Sequence, residues 1–327
     1  MRIPESIRNK FHTAGLFFVV ACCLFIPLSS SIMGGTAILA CLCWIISGRA
    51  FSLPRLMFSN IHLLLAVTLF ILLSAGVYYS PADLSTSLST LKKYRELLFF
   101  AMTATLFMGN ARIAKLAENS FITGCIVLLA LSYSMFYSII PMEKWGYSTV
   151  YHITHSFFMA ILAFWSLQRA FDSRQFRYLW LLLFGGVSFN LFYIAPGRTG
   201  MLVYAALILL TLFQRLPLKK SLGATAVACL LVVVTFNTST NFSSRVKDAV
   251  DEIQTYQAKS SRSSLGMRFD WWQNSVDLIR QKPIFGHGTG SFKVAQSELV
   301  RNTKTKITDN PHNEYLLLGV QTGLVGL

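Results

Sequence analysis

A histidine near the end of the chain stands where a side chain can do acid–base chemistry. His312 follows a proline and precedes an apolar stretch in "DNPHNEYLLLGVQTGLVGL". Asp309 or Asn310 can cap a helix at this point, and Pro311 suits its first position. His312 is then predicted in the first helical turn, where the helix dipole disfavours imidazolium and leaves a neutral ring that can accept a proton. The alternative is a helix-end histidine without a special role.

Two arginines stand in contexts that suit binding of a phosphate group. Arg198 lies in "APGRTG", where Pro196 and Gly197 interrupt the chain between two apolar stretches. Arg268 lies near the start of "SLGMRFDWWQNSVDLIRQ", a predicted helix that Ser264 can cap. Arginine binds phosphate oxygens through paired, charge-assisted hydrogen bonds. The alternatives are a headgroup-anchoring arginine at the first position and a surface arginine on an amphipathic helix at the second.

Three further patterns are less specific. His152 and His155 form H-x-x-H without an acidic or cysteine partner nearby, which favours a structural or substrate-contact role over a metal site. The "GHGTGSF" loop follows no strand and opens no lysine-bearing helix, so we predict no nucleotide P-loop. The six cysteines fall inside apolar stretches and indicate neither a disulfide framework nor a zinc site. We expect no metal and no cofactor.

The elements that must position these residues are membrane helices. Hydrophobic residues make up 54% of the 327 residues and charged residues 13%, about half the charged share of a soluble domain. The net charge of +15 is explained better by topology and anionic membrane lipids than by nucleic acid. Apolar stretches long enough to cross a bilayer predict nine spans and the start of a tenth near residue 312. The nine lie near residues 13–30, 32–47, 61–79, 96–109, 120–140, 153–170, 178–194, 199–213 and 221–236.

The distribution of basic residues between these spans predicts a cytoplasmic N-terminus. The cytoplasmic segments then carry 13 basic residues: Arg2, Arg8, Lys10, Arg49, Arg55, Arg112, Lys115, Arg169, Arg174, Arg177, Arg215, Lys219 and Lys220. The short outside connections carry five, namely Lys92, Lys93, Arg95, Lys144 and Arg198. The same orientation places the polar segment 237–311 and His312 outside, in the periplasm of a Gram-negative bacterium.

The predicted architecture is an all-α polytopic membrane protein with about ten transmembrane helices in this chain. Residues 1–236 form a bundle of about nine of them, residues 237–311 form a helical loop domain outside the membrane, and residues 312–327 begin the tenth. No predicted span has a charged residue near its middle, which weakens a transporter interpretation. Two arginines and a neutral histidine on the outer face suit transfer of a group from a lipid pyrophosphate to an alcohol.

One spacing resembles the signature of a known family. From His312 the sequence reads His-Asn, nine residues, Gly323, two residues and Gly326, which is similar to the H-[NSQ]-x9-G-x-x-[GTY] pattern of the O-antigen ligase family. The G-R-x-x-x-L turn at Arg198 and the R-F-x-W sequence at Arg268 also resemble that family. The resemblance covers most of the chain, although the N-terminal spans match in hydropathy alone. It implies a GT-C-like membrane glycosyltransferase of the O-antigen ligase/polymerase superfamily.

The resemblance implies a specific reaction. The family transfers O-antigen polysaccharide from undecaprenyl pyrophosphate to a sugar hydroxyl of lipid A–core at the periplasmic face of the inner membrane, with inversion at the anomeric carbon and without a metal. His312 would be the general base, and Arg198 and Arg268 would bind the leaving pyrophosphate. We assign further substrate-binding roles to Asn313, Trp271, Trp272 and His155. The family usually has about twelve spans and a span needs roughly 20 residues, so we expect the sequence to be truncated after Leu327.

Two alternatives remain open from the sequence. An O-antigen polymerase or a protein O-oligosaccharyltransferase of the same superfamily would use the same kind of donor and a different acceptor, either a glycan or a protein serine. A transporter of lipid-linked sugars would need no general base at all. The oligomeric state does not follow from the sequence.

Overall fold

A computed structural model describes residues 4–256, 263–303 and 305–327, and these residues form helices and no strand. The helices are α1 (Glu5–Phe25), α2 (Ser30–Ile46), α3 (Leu53–Ser59), α4 (Ile61–Gly76), α5 (Leu84–Lys93), α6 (Glu96–Phe107), α7 (Ala111–Phe136), α8 (His152–Asp172), α9 (Arg177–Phe189), α10 (Arg198–Arg215), α11 (Leu218–Thr238), α12 (Thr240–Gln254), α13 (Ser264–Gln281), α14 (Phe292–Leu299) and α15 (Glu314–Thr322). The predicted cytoplasmic Arg2 and part of the predicted outside domain, residues 257–262, lie outside the described residues.

A helix lies at each of the ten predicted spans, so the all-helical membrane class is confirmed. Within the described ranges, three helices are long and apolar enough to cross a bilayer on their own: α7, α11, and α9 together with the π-helical turn Asn190–Ile194. A fourth results if α2 and the following helical segment are counted as one span. The number of about ten spans stays a prediction.

The predicted tenth span is not formed as one helix over residues 312–327. Helix α15 has nine residues, which at 1.5 Å per residue is about 14 Å, well short of a hydrocarbon core of roughly 30 Å. It ends because Gly323 adopts a left-handed conformation with φ +63, and a 3-10 turn over Gly323–Gly326 follows. The backbone at Gly323 packs against Ile284, where a Cβ atom would overlap the Ile284 carbonyl oxygen.

Side-chain caps determine where several helices begin. The Oδ1 atom of Asn60 accepts hydrogen bonds from the first backbone amides of α4, and Asp83 and Asn110 cap α5 and α7 in the same manner. Helix α13 is capped by Ser263, whose Oγ accepts from the Gly266 amide at 3.1 Å. The prediction that Ser264 is this cap was wrong by one residue, because residue 264 is already the first helical residue.

The chain forms two compact units. The first unit comprises residues Met1–His12, Trp44–Met108 and Asp248–Leu327, and the second comprises Thr13–Cys43 and Gly109–Lys247. The first unit therefore contains helices α3 to α6 and α13 to α15, and the second contains α7 to α11. This division differs from the sequence-based boundaries at residues 236 and 311, which stay a prediction.

The second unit is built around helix α8, which packs mainly against α9 and α10. Close approach to α10 depends on small residues, as is common between membrane helices. At Gly200 a Cβ atom would overlap the backbone of Ser156 in α8. The interior of this unit is apolar and fully buried, and it includes Leu128, Met159, Leu162, Val187 and Leu191.

In the first unit, the glycine-rich loop of residues 283–291 joins the ends of two helices. The amide of Gly288 donates to the Gln321 carbonyl in α15 at 2.9 Å, and the amide of Thr289 donates to the Gly76 carbonyl in α4 at 3.0 Å. These carbonyls belong to the last helical turns, whose carbonyl oxygens have no N–H donors within their own helices. Gly288 has φ +95, and a Cβ atom there would lie 2.6 Å from the backbone of residue 80. The loop is thus a structural connection between α4 and α15.

Candidate active site

His312 lies just before helix α15. The helix is capped by Asn313, whose Oδ1 accepts from the Leu316 amide at 3.2 Å, and the first helical residue is Glu314. His312 has φ +57, in the left-handed region that a residue with a Cβ atom rarely adopts. The prediction that His312 lies in the first helical turn was therefore wrong. The side chain projects from a turn that precedes the helix, and it is exposed.

A second asparagine shapes the turn before His312. The Oδ1 atom of Asn310 accepts from the His312 amide at 2.7 Å, which is a local two-residue turn and not a helix cap. The predictions of Asp309 or Asn310 as the cap and Pro311 as the first helical residue were wrong for this reason. The two asparagines, three residues apart, therefore have different structural roles. Asn310 stabilises the turn, and Asn313 caps the helix.

Helix α13 holds this turn in place through a pair of tryptophans. We call residues 305–313 the histidine loop. The indole Nε1 of Trp271 donates to the Lys306 carbonyl at 2.7 Å, and that of Trp272 donates to the Pro311 carbonyl at 3.0 Å. The two indoles therefore fix both ends of the histidine loop, and the geometry gives them a positioning role. A direct contact of either ring with substrate stays a prediction.

Trp271 also packs directly against the imidazole. The ring centroids of Trp271 and His312 are 5.4 Å apart with an interplanar angle of 30°. Arg268 precedes the two tryptophans by three and four residues, so all three side chains share one face of α13. Burial lowers the pKa of His312 below its usual 6.5, the charge of Arg268 lowers it further, and Asp309 acts in the opposite direction. This direction of the pKa shift favours the neutral ring at pH 7, and its causes are burial and the neighbouring charges.

The guanidinium of Arg268 is available to an anion. Its side chain is partly buried beside the histidine loop. Among the described residues, no carboxylate lies within ion-pair distance of it. A partly desolvated arginine binds a phosphate oxygen more strongly than a fully solvated one, because the interaction is less screened.

Arg198 belongs to the second unit. It is the first residue of α10 and follows Gly197, which occupies the cap position. The predicted short turn between two helices is confirmed, since the π-helical turn ends at Ile194. The structure thus brings Arg268 and His312 together within the first unit and describes Arg198 within the second.

His155 lies in the interior of the second unit with no exposed surface. Its Nε2 lies 2.9 Å from Asn190 Oδ1 and its Nδ1 lies 3.0 Å from Ser148 Oγ. Because the Asn190 amide nitrogen donates to Ser132 Oγ at 2.8 Å, its oxygen accepts, and the proton of His155 is assigned to Nε2. This network gives His155 a structural role, and nothing in the geometry supports the predicted substrate contact.

A cavity of about 920 Å³ lies in the first unit beside the histidine loop. Its walls come from α5, the start of α6, the end of the glycine-rich loop, the histidine loop and α15. Asn310 and Glu314, which flank His312 in the sequence, both line it. No residue of this cavity was predicted from the sequence, although Glu314 directly follows the His-Asn pair and was the available signal.

Glu314 is tied to the interior of the first unit through a chain of hydrogen bonds. The Tyr94 hydroxyl is hydrogen-bonded to the Glu314 carboxylate, and burial together with this carboxylate raises the pKa of Tyr94. The buried Gln321 donates from Nε2 to the Tyr94 hydroxyl oxygen at 3.2 Å and accepts from the Gly290 amide at 2.8 Å. Tyr94 therefore links Glu314 at the cavity wall to the buried Gln321.

Comparison with known proteins places these residues in a family context. A family model described as O-antigen ligase matches residues 183–327, the part of the chain that contains Arg198, Arg268 and His312. A Haemophilus influenzae protein, described as uncharacterized, is 29% identical over 220 residues, which cover 64% of this chain and 54% of the relative. The chain spans about half the length of that relative.

Proposed function

We propose that this chain, whose residues 183–327 match a family model described as O-antigen ligase, ligates O-antigen polysaccharide to lipid A–core. The donor in this proposal is O-antigen linked to undecaprenyl pyrophosphate, and the reaction takes place at the periplasmic face of the bacterial inner membrane. The observation that carries the proposal is an imidazole in a loop that two tryptophans hold, next to an arginine without an ion-pair partner among the described residues.

The proposed step is a displacement at the anomeric carbon. His312 accepts the proton of an acceptor sugar hydroxyl as its oxygen bonds to the anomeric carbon. The bond from that carbon to the pyrophosphate oxygen breaks, and the electron pair leaves with undecaprenyl pyrophosphate. Arg268 stabilises the negative charge that develops on the leaving oxygens. Attack from the face opposite the leaving group inverts the anomeric configuration, and the imidazolium afterwards releases its proton to solvent.

Arg198 is proposed as a second ligand of the pyrophosphate. It belongs to the second unit, and this assignment rests on the sequence pattern around its turn. The proposed orientation, with a cytoplasmic N-terminus, rests on the distribution of basic residues between the spans. Under that orientation Arg198 and the whole segment 237–311 face the periplasm, where the activated donor needs no nucleotide.

Replacement of the proposed base tests the function directly. We expect His312→Ala to lower the rate of transfer by about 10² to 10⁴-fold, the usual contribution of a general base. The measurement is transfer from a lipid-linked O-antigen donor to purified lipid A–core, with the membrane yield of the protein as a check on folding. The matched control is His62→Gln, at an exposed histidine outside the candidate site, which should retain the wild-type rate.

The same assay separates the alternatives when it is run with three acceptors. Transfer to glycan or pilin and none to lipid A–core would replace the ligase by a polymerase or an oligosaccharyltransferase of the superfamily. A transporter needs no base, so full activity of His312→Ala in delivering lipid-linked sugar would remove the glycosyltransferase proposal.

A further inference from the structure

The cavity beside the histidine loop has the lining of a sugar-binding site. Hydroxyl side chains dominate one wall: Ser85, Thr86, Ser89, Thr90 and Thr308. Apolar side chains, among them Leu69, Leu97 and Leu318, also line it, together with charged and amide side chains. Its volume of about 920 Å³ lies towards the upper end of the range for ligand pockets, roughly 300 to 1,000 Å³. Polar and charged side chains outnumber apolar ones in this lining, which suits a ligand that is rich in hydrogen-bonding groups.

The charges in the cavity argue against a phosphate ligand. Two lysines, Lys93 and Lys293, line it together with three carboxylates, Glu96, Asp309 and Glu314, so the carboxylates outnumber the cations. Lys93 lies 3.6 Å from the Asp309 carboxylate, which offsets its charge. A carboxylate can only accept hydrogen bonds, and the groups it prefers are hydroxyl and amine donors. The lining therefore fits a neutral, hydroxyl-rich sugar or an amino sugar.

Glu314 is the carboxylate best placed to orient such a ligand. It is the first residue of α15, two residues after His312, and Tyr94 fixes its position through the hydrogen bond that continues to Gln321. Asn310 and Glu314 line the cavity, and they lie two residues before and two residues after His312 in the chain. A ligand that contacts both is therefore bound by the same short segment that carries the proposed base.

We propose that this cavity binds the acceptor sugar, and that Glu314, oriented by Tyr94, accepts a hydrogen bond from a hydroxyl of a neutral sugar residue of that acceptor. The inference rests on the proposed function for the identity of the ligand as acceptor. The chemistry of recognition, a carboxylate with neighbouring hydroxyls for an unphosphorylated sugar, comes from the cavity itself.

The test compares acceptor and donor kinetics in the full chain. Glu314→Gln keeps the size of the side chain and removes its charge, and we expect the KM for lipid A–core to rise at least about tenfold, since a hydrogen bond to a charged group is lost. The KM for the lipid-linked donor should stay within twofold. Tyr94→Phe should raise the acceptor KM by a smaller factor. Glu298→Gln, at an exposed carboxylate outside the cavity, is the matched control.

A binding measurement makes the proposal independent of catalysis. Core oligosaccharide released from lipopolysaccharide is titrated onto the His312→Ala protein, with and without enzymatic removal of its phosphates. We expect saturable binding that survives dephosphorylation and is weakened at least tenfold by Glu314→Gln. The proposed sugar site would be contradicted if binding disappeared on dephosphorylation, or if Glu314→Gln raised the KM for the acceptor and the KM for the donor equally. Neither result would contradict the proposed ligase function. If the oligosaccharide binds but His312→Ala still ligates, the proposed mechanism is contradicted and the proposed sugar site is retained.

Discussion

At the scale of single residues, the protonation state of His312 is determined by what surrounds its ring. Trp271 covers one face of the imidazole, and the burial that results lowers the pKa more than any nearby charge. Arg268 reinforces this effect, while Asp309 opposes it. The group that would bind the leaving pyrophosphate thus also adds to the lowering of the pKa of the proposed base, and the two proposed roles are linked.

This dependence predicts opposite pKa changes in two variants. In the wild type, the pKa of His312 lies below 6.5, so the imidazole remains neutral when the pH falls to 6.5. Protonation at lower pH decreases the free energy of unfolding, because the unfolded chain binds this proton more readily. Arg268→Gln should raise the pKa towards 6.5, and Asp309→Asn should lower it further. The measurement is an NMR titration of histidine-labelled protein, in which the His312→Gln variant assigns the resonance.

The acidic limb of the pH–rate profile should move in the same directions as the pKa. We expect the acidic limb of the profile to move to higher pH in Arg268→Gln and to lower pH in Asp309→Asn, in agreement with the titration. An unchanged pKa in Arg268→Gln would show that the guanidinium does not act on the ring.

At the scale of elements, the histidine loop is held from two helices. The indole groups of α13 bind the carbonyls at its ends, and the cap of α15 defines where the loop stops. The left-handed backbone of His312 is stable because both neighbours of that residue are fixed, Pro311 through its carbonyl and Asn313 through its side chain. Asparagine at the position after the histidine is therefore explained by helix capping.

Substitutions of Asn313 separate capping from the predicted substrate contact. Asn313→Ala should lower the free energy of unfolding by about 1 kcal/mol and reduce transfer, because the cap is lost and His312 is no longer held. Asn313→Ser and Asn313→Asp retain a capping oxygen and should restore most of both. Thermal unfolding and the ligation rate are measured for the three variants. Loss of transfer in the serine and aspartate variants at normal stability would instead favour direct substrate binding.

The sequence predicted the helices well and the turn at the site poorly. Long apolar stretches and their basic flanks locate α1, α2, α4 and α6 to α11, because burial in lipid permits little except helix, whereas α3 and α5 were not predicted. Three residues near the site, Asp309, Asn310 and Asn313, are comparable caps by local preference, so sequence alone could not choose among them. The choice is made by Trp272, which binds the Pro311 carbonyl from a helix 39 residues earlier in the chain.

At the scale of the whole molecule, the features that the sequence did not reveal are contacts between distant segments. Gln321 and Tyr94, which support the cavity wall, are 227 residues apart in the chain. The residues next to each side chain in the sequence do not indicate its partner. A single sequence therefore does not predict this hydrogen bond. The cavity could be found only after the fold had brought α5, α6 and α15 together.

The predicted orientation of the chain in the membrane can be tested with single cysteines. In a background in which the six native cysteines are replaced, Asn302→Cys should react with a membrane-impermeant maleimide in intact spheroplasts, because residue 302 is exposed and predicted to be periplasmic. Arg174→Cys, also exposed, should react only after the membrane is opened. The reverse labelling pattern would invert the predicted orientation and place His312 in the cytoplasm.

The connection made by the glycine-rich loop has a consequence for the order of synthesis. Thr289 donates from its hydroxyl to the Leu73 carbonyl, across 216 residues of chain. Helix α4 is synthesised long before residue 289, so the carbonyl groups at the end of that helix at first lack their hydrogen bonds to Thr289. The contact between the glycine-rich loop and α4 therefore forms only after residue 289 has been synthesised, and the histidine loop, which follows in the chain, is made later still.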